Sequence, residues 1–213
     1  LQVGLGTGGG VAAAANLIRK ADRLVVFTGA GMSADSGIAT FRKGGSSLWG
    51  GIRGTMALAW FGVPIGWSVT PGWAWHAYLS EFYGPISRAG PHEGHKALAQ
   101  LERKFGDKLT IITMNVDGFH TIAGSTNVVE VHGTVNRLRC KTHGVVDLPL
   151  ASLDEMKKYR CPTCKAHVRP DVVLFGEGLP QDEWSRATRA CRALTPRDCL
   201  LVIGLPHTIA GST

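Results

Sequence analysis

No stretch of the 213 residues approaches the roughly 18 uncharged apolar residues that a membrane-spanning helix requires. The apolar run at 11–18 is too short, and no charged region precedes it as a secretory signal would demand. Those absences argue against a membrane or secreted protein, and a soluble, intracellular one is expected. An even cysteine count is missing too: the five are Cys140, Cys161, Cys164, Cys191 and Cys199. Without a secretion signal, they do not suggest a disulfide framework. No internal repeat is found.

What is present is ordinary for a globular enzyme. Hydrophobic residues make up 44%, enough to exclude disorder. The length suits one domain, or one domain with an insert, and is sufficient to bury a core. The formal net charge is +7. The basic residues are scattered, so a solvated basic surface is favoured over attraction to nucleic acid or chromatin.

Short apolar segments punctuated by glycine recur along the chain. The segments at 24–28, 109–113, 128–131, 172–175 and 199–203 read as buried strands. Residues 11–20 are Ala-rich and helix-favouring. Pro91 opens a second helical stretch with His95, Leu98, Ala99, Leu101 and Phe105 on one face, and Gly106 closes it. Residues 44–72, crowded with Gly and Trp, read as a loop-rich insert whose tryptophans pack locally. Alternation of strand and helix predicts an α/β fold with a Rossmann-like parallel sheet. The expected Rossmann domain comprises 1–42, 92–136 and 170–213. A smaller lobe comprises 43–91 and 137–169.

Gly29-Ala30-Gly31-Met32-Ser33-Ala34 fits G-x-G-x-x-A directly after the first strand. Glycines there allow a tight turn and the approach of backbone N–H groups to a pyrophosphate. A dehydrogenase places an acidic residue about 20 positions further on for the ribose. Here no acidic residue occurs between Asp35 and Glu81, which removes support for hydride transfer.

Four ordered blocks then become specific. The first continues from Gly29 through Asp35-Ser36-Gly37-Ile38-Ala39-Thr40-Phe41-Arg42. The second is Thr113-Met114-Asn115-Val116-Asp117-Gly118-Phe119-His120. The third is Glu130-Val131-His132-Gly133, and the fourth runs from Arg169-Pro170-Asp171 to Phe175-Gly176-Glu177. Together they resemble the sirtuin family of NAD-dependent protein-lysine deacetylases and deacylases.

The resemblance implies that the acyl oxygen of an acyl-lysine displaces nicotinamide from NAD, and that His132 then helps deprotonate a ribose hydroxyl. The products are free lysine, nicotinamide and O-acyl-ADP-ribose. Imidazole titrates near neutrality, as this step needs. By the same resemblance, Asn115, Asp117 and His132 are catalytic. Gly29, Ala30, Gly31, Ser33, Asp35, Ile38, Phe41, Arg42, Met114, Asn115, Val116, Asp117, His132 and Gly204 bind the cofactor. Val172, Val173, Phe175, Gly176 and Glu177 form the wall that receives the peptide as an added strand. Protein ADP-ribosyl transfer, NAD hydrolysis and a catalytically impaired binding module are the competing readings. A zinc-ribbon nucleic-acid binder has only the charge and the metal cluster behind it.

The sequence departs from the family pattern at several positions. Ala39 stands where proline is usual, and Met114 where glutamine is usual. Leu205-Pro206 stands where Gly-Thr-Ser is expected, and the chain ends at Thr213, so a sheet short of its C-terminal part is anticipated. The Tyr-x-x-Arg pair of members that prefer acidic acyl groups corresponds to Tyr78-Leu79-Ser80-Glu81. A carboxylate at Glu81 would repel succinyl or malonyl groups, so acetyl or another neutral acyl group is expected.

Cys140-Lys141-Thr142-His143 and Cys161-Pro162-Thr163-Cys164 form two knuckles with structural zinc spacing. The family usually has four cysteines there. Cys₃His is a normal zinc set, with His167 or water the alternative fourth ligand. Cys191 and Cys199 lie outside this spacing and read as core residues.

Overall fold

The computed structural model describes residues 8–38, 52–146 and 158–205. Four parallel strands form the larger sheet: β1 (Leu24–Thr28), β2 (Leu109–Thr113), β3 (Val128–Glu130) and β7 (Cys199–Ile203), in the order β3-β2-β1-β7. Leu24, Val25 and Val26 are each fully buried. Successive strand residues face opposite ways, so both faces of the sheet must be covered, as parallel sheets require.

Leu24, Val26, Leu109 and Ile111 pack on one face with Ile18 of α1 (Gly8–Lys20) and Leu98 of α6 (Glu93–Phe105). Val25, Ile112 and Val129 pack on the other with Ala187 of α7 (Gln181–Arg192). The helix expected after Pro91 starts at Glu93, because the His92 side chain caps it by accepting from the Gly94 N–H at 2.9 Å.

Residues 52–88 correct the expectation of a loop-rich insert. They form α2 (Ile52–Phe61), α3 (Pro64–Val69), α4 (Pro71–Ala77), a π-helical turn (Tyr78–Tyr83) and α5 (Gly84–Arg88). Pro64 and Pro71 each sit in a first helical turn, where their lost N–H has no intrahelical partner to miss. The aromatic residues drive the packing. Trp67 and Trp75 meet edge to face at 5.2 Å, and Tyr78 packs against both. Burial of such rings outweighs the glycine content that favoured a loop reading.

The smaller sheet is antiparallel, in the order β5-β4-β6, from β4 (Gly133–Cys140), β5 (Gly144–Val146) and β6 (Val168–Val172). The strand expected at 172–175 therefore ends at Val172 and pairs with β4, not with the Rossmann strands. Gly176, at φ +87°, and a Glu177 N–H to Leu174 carbonyl bond turn the chain instead. Asp171 is buried between β4 and β6, where Arg137 Nε donates to it at 2.6 Å and Arg139 Nε at 2.5 Å. Trp75 Nε1 donates to the Val168 carbonyl at 3.0 Å, tying the helical module to this sheet. No helix among the described residues is long and apolar enough to cross a membrane.

Candidate active site

The site lies past the C-terminal ends of β1, β2 and β3, where open α/β sheets present loops to ligands. After β1 the chain enters a 3₁₀ helix (Ala30–Ser36). Gly29 N–H donates to the Ile203 carbonyl at 3.0 Å, and Gly31 N–H to the Gly204 carbonyl at 2.9 Å. A Cβ on Gly31 would fall 2.8 Å from the Gly204 Cα, and one on Gly204, itself at φ +71°, 2.2 Å from the Met32 nitrogen. The glycines are thus required for backbone-on-backbone packing against the end of β7. These two N–H groups are committed to β7, so any pyrophosphate must be met by other donors. Leu205 folds over Gly29, where a Cβ would meet its Cδ2 at 2.6 Å.

After β2, Asn115 is held by its own N–H to Thr113 Oγ1 at 3.0 Å. Its amide nitrogen donates to the Gly29 carbonyl and to Ser33 Oγ, both at 3.0 Å. Ser33 Oγ donates in turn to Asp117 Oδ2 at 2.6 Å, and the Phe119 N–H donates to Asp117 Oδ1 at 2.9 Å. Burial pushes the Asp117 carboxyl up from its ordinary value, against the two hydrogen bonds that favour the charged form. Ser33, Asn115 and Asp117 are all buried, so one connected polar unit joins the ends of β1 and β2.

After β3, Val131 N–H donates to the Thr113 carbonyl at 3.1 Å and leads into His132. His132 Nδ1 lies 3.1 Å from the Met114 carbonyl. A carbonyl only accepts, so Nδ1 carries the proton and Nε2 keeps its lone pair. Met114 serves His132 through its main chain, so methionine in place of glutamine leaves this contact intact. Gly133, at φ +76°, lets β4 meet β6: a Cβ there would lie 1.9 Å from the Asp171 carbonyl oxygen.

These elements enclose a cavity of about 500 Å³. Of the residues singled out from sequence, Ala30, Ser33, Ile38, Met114, Asn115, Val116, Asp117, His132, Val172, Val173, Phe175, Gly176 and Glu177 line it. Gly29, Gly31 and Gly204 are not among the lining residues, nor is Asp35, which is exposed. Phe41 and Arg42 lie outside the described residues, as do Ala39 and Pro206. Glu177 is not free. It accepts from Arg169 Nη2 at 2.7 and 2.9 Å and from the Leu174 N–H at 3.0 Å, so it latches the loop after β6.

Leu58, Phe61, Trp67, Tyr78, Phe82 and Ile86 also line the cavity and were not anticipated as a group. Their density of aromatics was the available signal. Tyr78 faces the cavity, whereas Glu81, expected to act on acidic acyl groups, is not among the lining residues.

The ligand atoms of Cys140, His143, Cys161 and Cys164 all lie within 4.8 Å of one another. Cys140 Sγ is 3.6 Å from Cys164 Sγ, and His143 Nδ1 is 3.7 Å from Cys140 Sγ and 3.5 Å from Cys161 Sγ. Tetrahedral zinc with Zn–S of about 2.3 Å and Zn–N of about 2.0 Å needs edges of roughly 3.5–3.8 Å. The cluster therefore fits zinc with His143 as fourth ligand, and His167 is not part of it. The backbone N–H of Cys164, chief among the causes, pulls the Cys161 thiol down to about 6 despite burial, which suits a thiolate ligand. Cys199 is half-buried as the first residue of β7, but Cys191 is exposed on α7, against the core reading.

The profile of the Sir2 family matches residues 29–210. The chain belongs to the Sir2 family. It is 38% identical over 192 residues to an NAD-dependent protein deacylase of Thermus thermophilus, covering 88% of this chain and 70% of that protein. A Sir2 homolog–NAD complex superimposes with a TM-score of 0.73 at 30% identity, over 96% of this chain and 75% of the other. A Sir2–p53 peptide–NAD⁺ complex gives 0.67 at 25% identity, over 91% and 85%. The sirtuin resemblance and the Rossmann-like fold with a zinc-type cluster are thereby established for this Sir2 chain.

Proposed function

We propose that this Sir2 chain removes an acyl group, acetyl foremost, from protein lysine in an NAD-dependent reaction, with His132 as the general base. The observation that carries the assignment is the His132–Met114 hydrogen bond. It fixes the ring with Nδ1 protonated and leaves Nε2, at the cavity wall, able to accept a proton. When bound, NAD supplies an activated ribose carbon whose bond to nicotinamide is broken. The lining fits such a ligand: Ser33, Asn115 and Asp117 give a polar end suited to a carboxamide, beside a largely apolar remainder. Gly29, Ala30, Gly31, Ser33, Asp35, Ile38, Met114, Val116 and Gly204 complete the proposed nucleotide side, with Phe41 and Arg42.

His132 takes the proton from a ribose hydroxyl, and Asn115 and Asp117 orient the nicotinamide end. Among the described residues β6 is an edge strand, so its open side can receive a substrate peptide as a further strand. Val172, Val173 and Phe175 then flank the acyl-lysine, and Phe175 is well placed, being 60% exposed at the cavity rim. Gly176 and the latched Glu177 hold that rim in place. An intracellular setting fits cysteine thiols that serve a metal cluster.

The test is nicotinamide release from NAD with and without an acetyl-lysine peptide, beside His132→Ala. Over many turnovers, peptide-dependent release and O-acetyl-ADP-ribose formation are both expected to drop at least about 100-fold in the variant, the usual contribution of a general base, because without it the enzyme stalls after nicotinamide has left. Release independent of peptide would instead assign NAD hydrolysis or ADP-ribosyl transfer.

A further inference from the structure

Behind the cofactor turn lie three histidines that the proposed mechanism does not use. His95 and His120 are 0% and 2% exposed, with ring centroids 4.9 Å apart. Their protonation can be deduced atom by atom. His92 Nδ1 accepts from the Gly94 N–H at 2.9 Å, and its Nε2–H donates to the Met32 carbonyl at 2.5 Å. His95 Nδ1 accepts from the His92 N–H at 3.3 Å, so neutral His95 carries its proton on Nε2.

On the other side, Thr28 Oγ1 donates its only proton to Thr113 Oγ1 at 2.8 Å. Thr28 can therefore only accept from His120 Nε2, 3.0 Å away, which leaves His120 Nδ1 as a bare acceptor. His95 Nε2 and His120 Nδ1 are the two ring nitrogens here without a partner of their own. One is a donor and the other an acceptor, but no hydrogen bond joins them: the two rings meet by edge-to-face packing. Burial keeps both rings neutral: it pushes His95 down to about 3 and His120 down to about 4, with neighbouring histidines adding to the effect.

This arrangement touches the cofactor turn at two places. One end grips the Met32 carbonyl within the 3₁₀ helix. The other runs through Thr28 and Thr113 to the N–H of Asn115, whose side chain holds Gly29 and Ser33. We propose that His92, His95 and His120 are positioning residues for the nicotinamide end of the cofactor: a neutral histidine unit that sets the 3₁₀ turn against the end of β2. The inference rests on the reading of this cavity as the NAD site.

The test compares His120→Gln, which keeps a donor for Thr28, with His120→Phe, which keeps the ring shape and loses it. His92→Ala, at a half-buried position, releases Met32 and also removes the α6 cap, a stability cost that the melts read separately. NAD affinity by calorimetry and KM for NAD and for acetyl-lysine peptide are measured on zinc-loaded protein, with thermal melts alongside. His120→Phe and His92→Ala are expected to weaken NAD binding about tenfold, the scale of one lost buried hydrogen bond. Peptide KM stays within twofold, and His120→Gln stays near the parent. Long-range ¹H–¹⁵N NMR at pH 7 should show His95 protonated at Nε2 and His120 at Nε2. A charged ring, or the opposite tautomer, overturns the inference. So does NAD affinity within twofold of the parent in His92→Ala, or equal loss of NAD and peptide binding in both His120 variants. If the parent itself fails to bind NAD, the functional reading falls, while the tautomer result is read on its own.

Discussion

Single residues decide more here than their chemistry alone suggests. Gly133 is the clearest case, because two independent constraints meet on it: φ of +76° and a carbonyl oxygen 1.9 Å from where a Cβ would stand. Gly37 has a similar φ of +82° but nothing within 4 Å. Gly37→Ala is expected to cost only the left-handed penalty of about 1 kcal/mol. Gly133→Ala adds a backbone clash between β4 and β6 and should cost more than ~3 kcal/mol. Paired melts of the two variants check this, and equal shifts would mean that β6 moves aside freely. The buried histidines make a second residue-scale prediction. Their folded pKa values, about 3 and about 4, lie below the ordinary 6.5. Between those limits the unfolded chain binds more protons than the folded one, so stability is full above about pH 6.5 and falls as pH drops towards 4. Each ring contributes a slope of up to ~1.4 kcal/mol per pH unit. The groups facing the pair are His92, Thr28 and Phe119. Melts of the parent and His120→Gln from pH 7 to 5 should therefore diverge, with the variant less sensitive to acid; parallel curves would place the acid sensitivity elsewhere.

At the scale of elements, the parallel strands were readable because they are short apolar runs ended by glycine, and β1, β2 and β7 occur where that pattern put them. The helices of 52–88 were not, because glycine and tryptophan mask helical periodicity, and the ring-on-ring packing of Trp67, Trp75 and Tyr78 appears only in three dimensions. The end of β6 was also hidden. Val172 to Phe175 is apolar throughout, and nothing local reveals that Glu177 returns to Arg169 and turns the chain. In the candidate site, His132 and Asn115 stood out through their motifs, whereas the aromatic wall came from residues without one. The zinc knuckles were legible by spacing, and the structure brings the His143 ring to the three cysteine sulfurs, where it can serve as a fourth ligand. Because Cys140 closes the strand that Gly133 opens, the metal cluster braces the same β4 that follows His132. His143→Cys should keep equimolar zinc and the parental melt. His143→Ala should lose zinc to a mild chelator and melt several degrees lower, since closed zinc sites contribute directly to folding. Metal analysis after dialysis reads the difference, and full zinc retention in His143→Ala would remove the histidine from the ligand set.

Taken whole, the cavity lies between the strand ends of the four-stranded parallel sheet and the helices of 52–88 with the loop after β6. One wall comes from the ends of β1, β2 and β3, and the other from α2, α3, the π-helical turn, α5 and the loop after β6. The two sides differ in polarity, and that contrast bears on the acyl group. Asp117 and Glu177 are the ionisable acids of the lining, and no lysine or arginine is found among the described lining residues. An acyl chain ending in a carboxylate would enter an apolar wall of Phe61, Trp67 and Phe82 without a cation to meet it. Burying an unpaired charge costs several kcal/mol. Tyr78 does not change this, because burial raises its hydroxyl pKa and keeps it neutral. The expectation of a neutral acyl group loses its argument from Glu81, which is not among the lining residues, and as a proposal it rests on the lining instead. Turnover of a succinyl-lysine peptide should be at least about 100-fold slower than that of the matched acetyl-lysine peptide, measured as kcat/KM at saturating NAD. Ile86→Arg, which places a cation in the lining, should narrow the gap by raising the succinyl rate, and a melt close to the parent's confirms that the wall survives. Comparable rates on both peptides in the parent enzyme would show that the acyl chain avoids this wall.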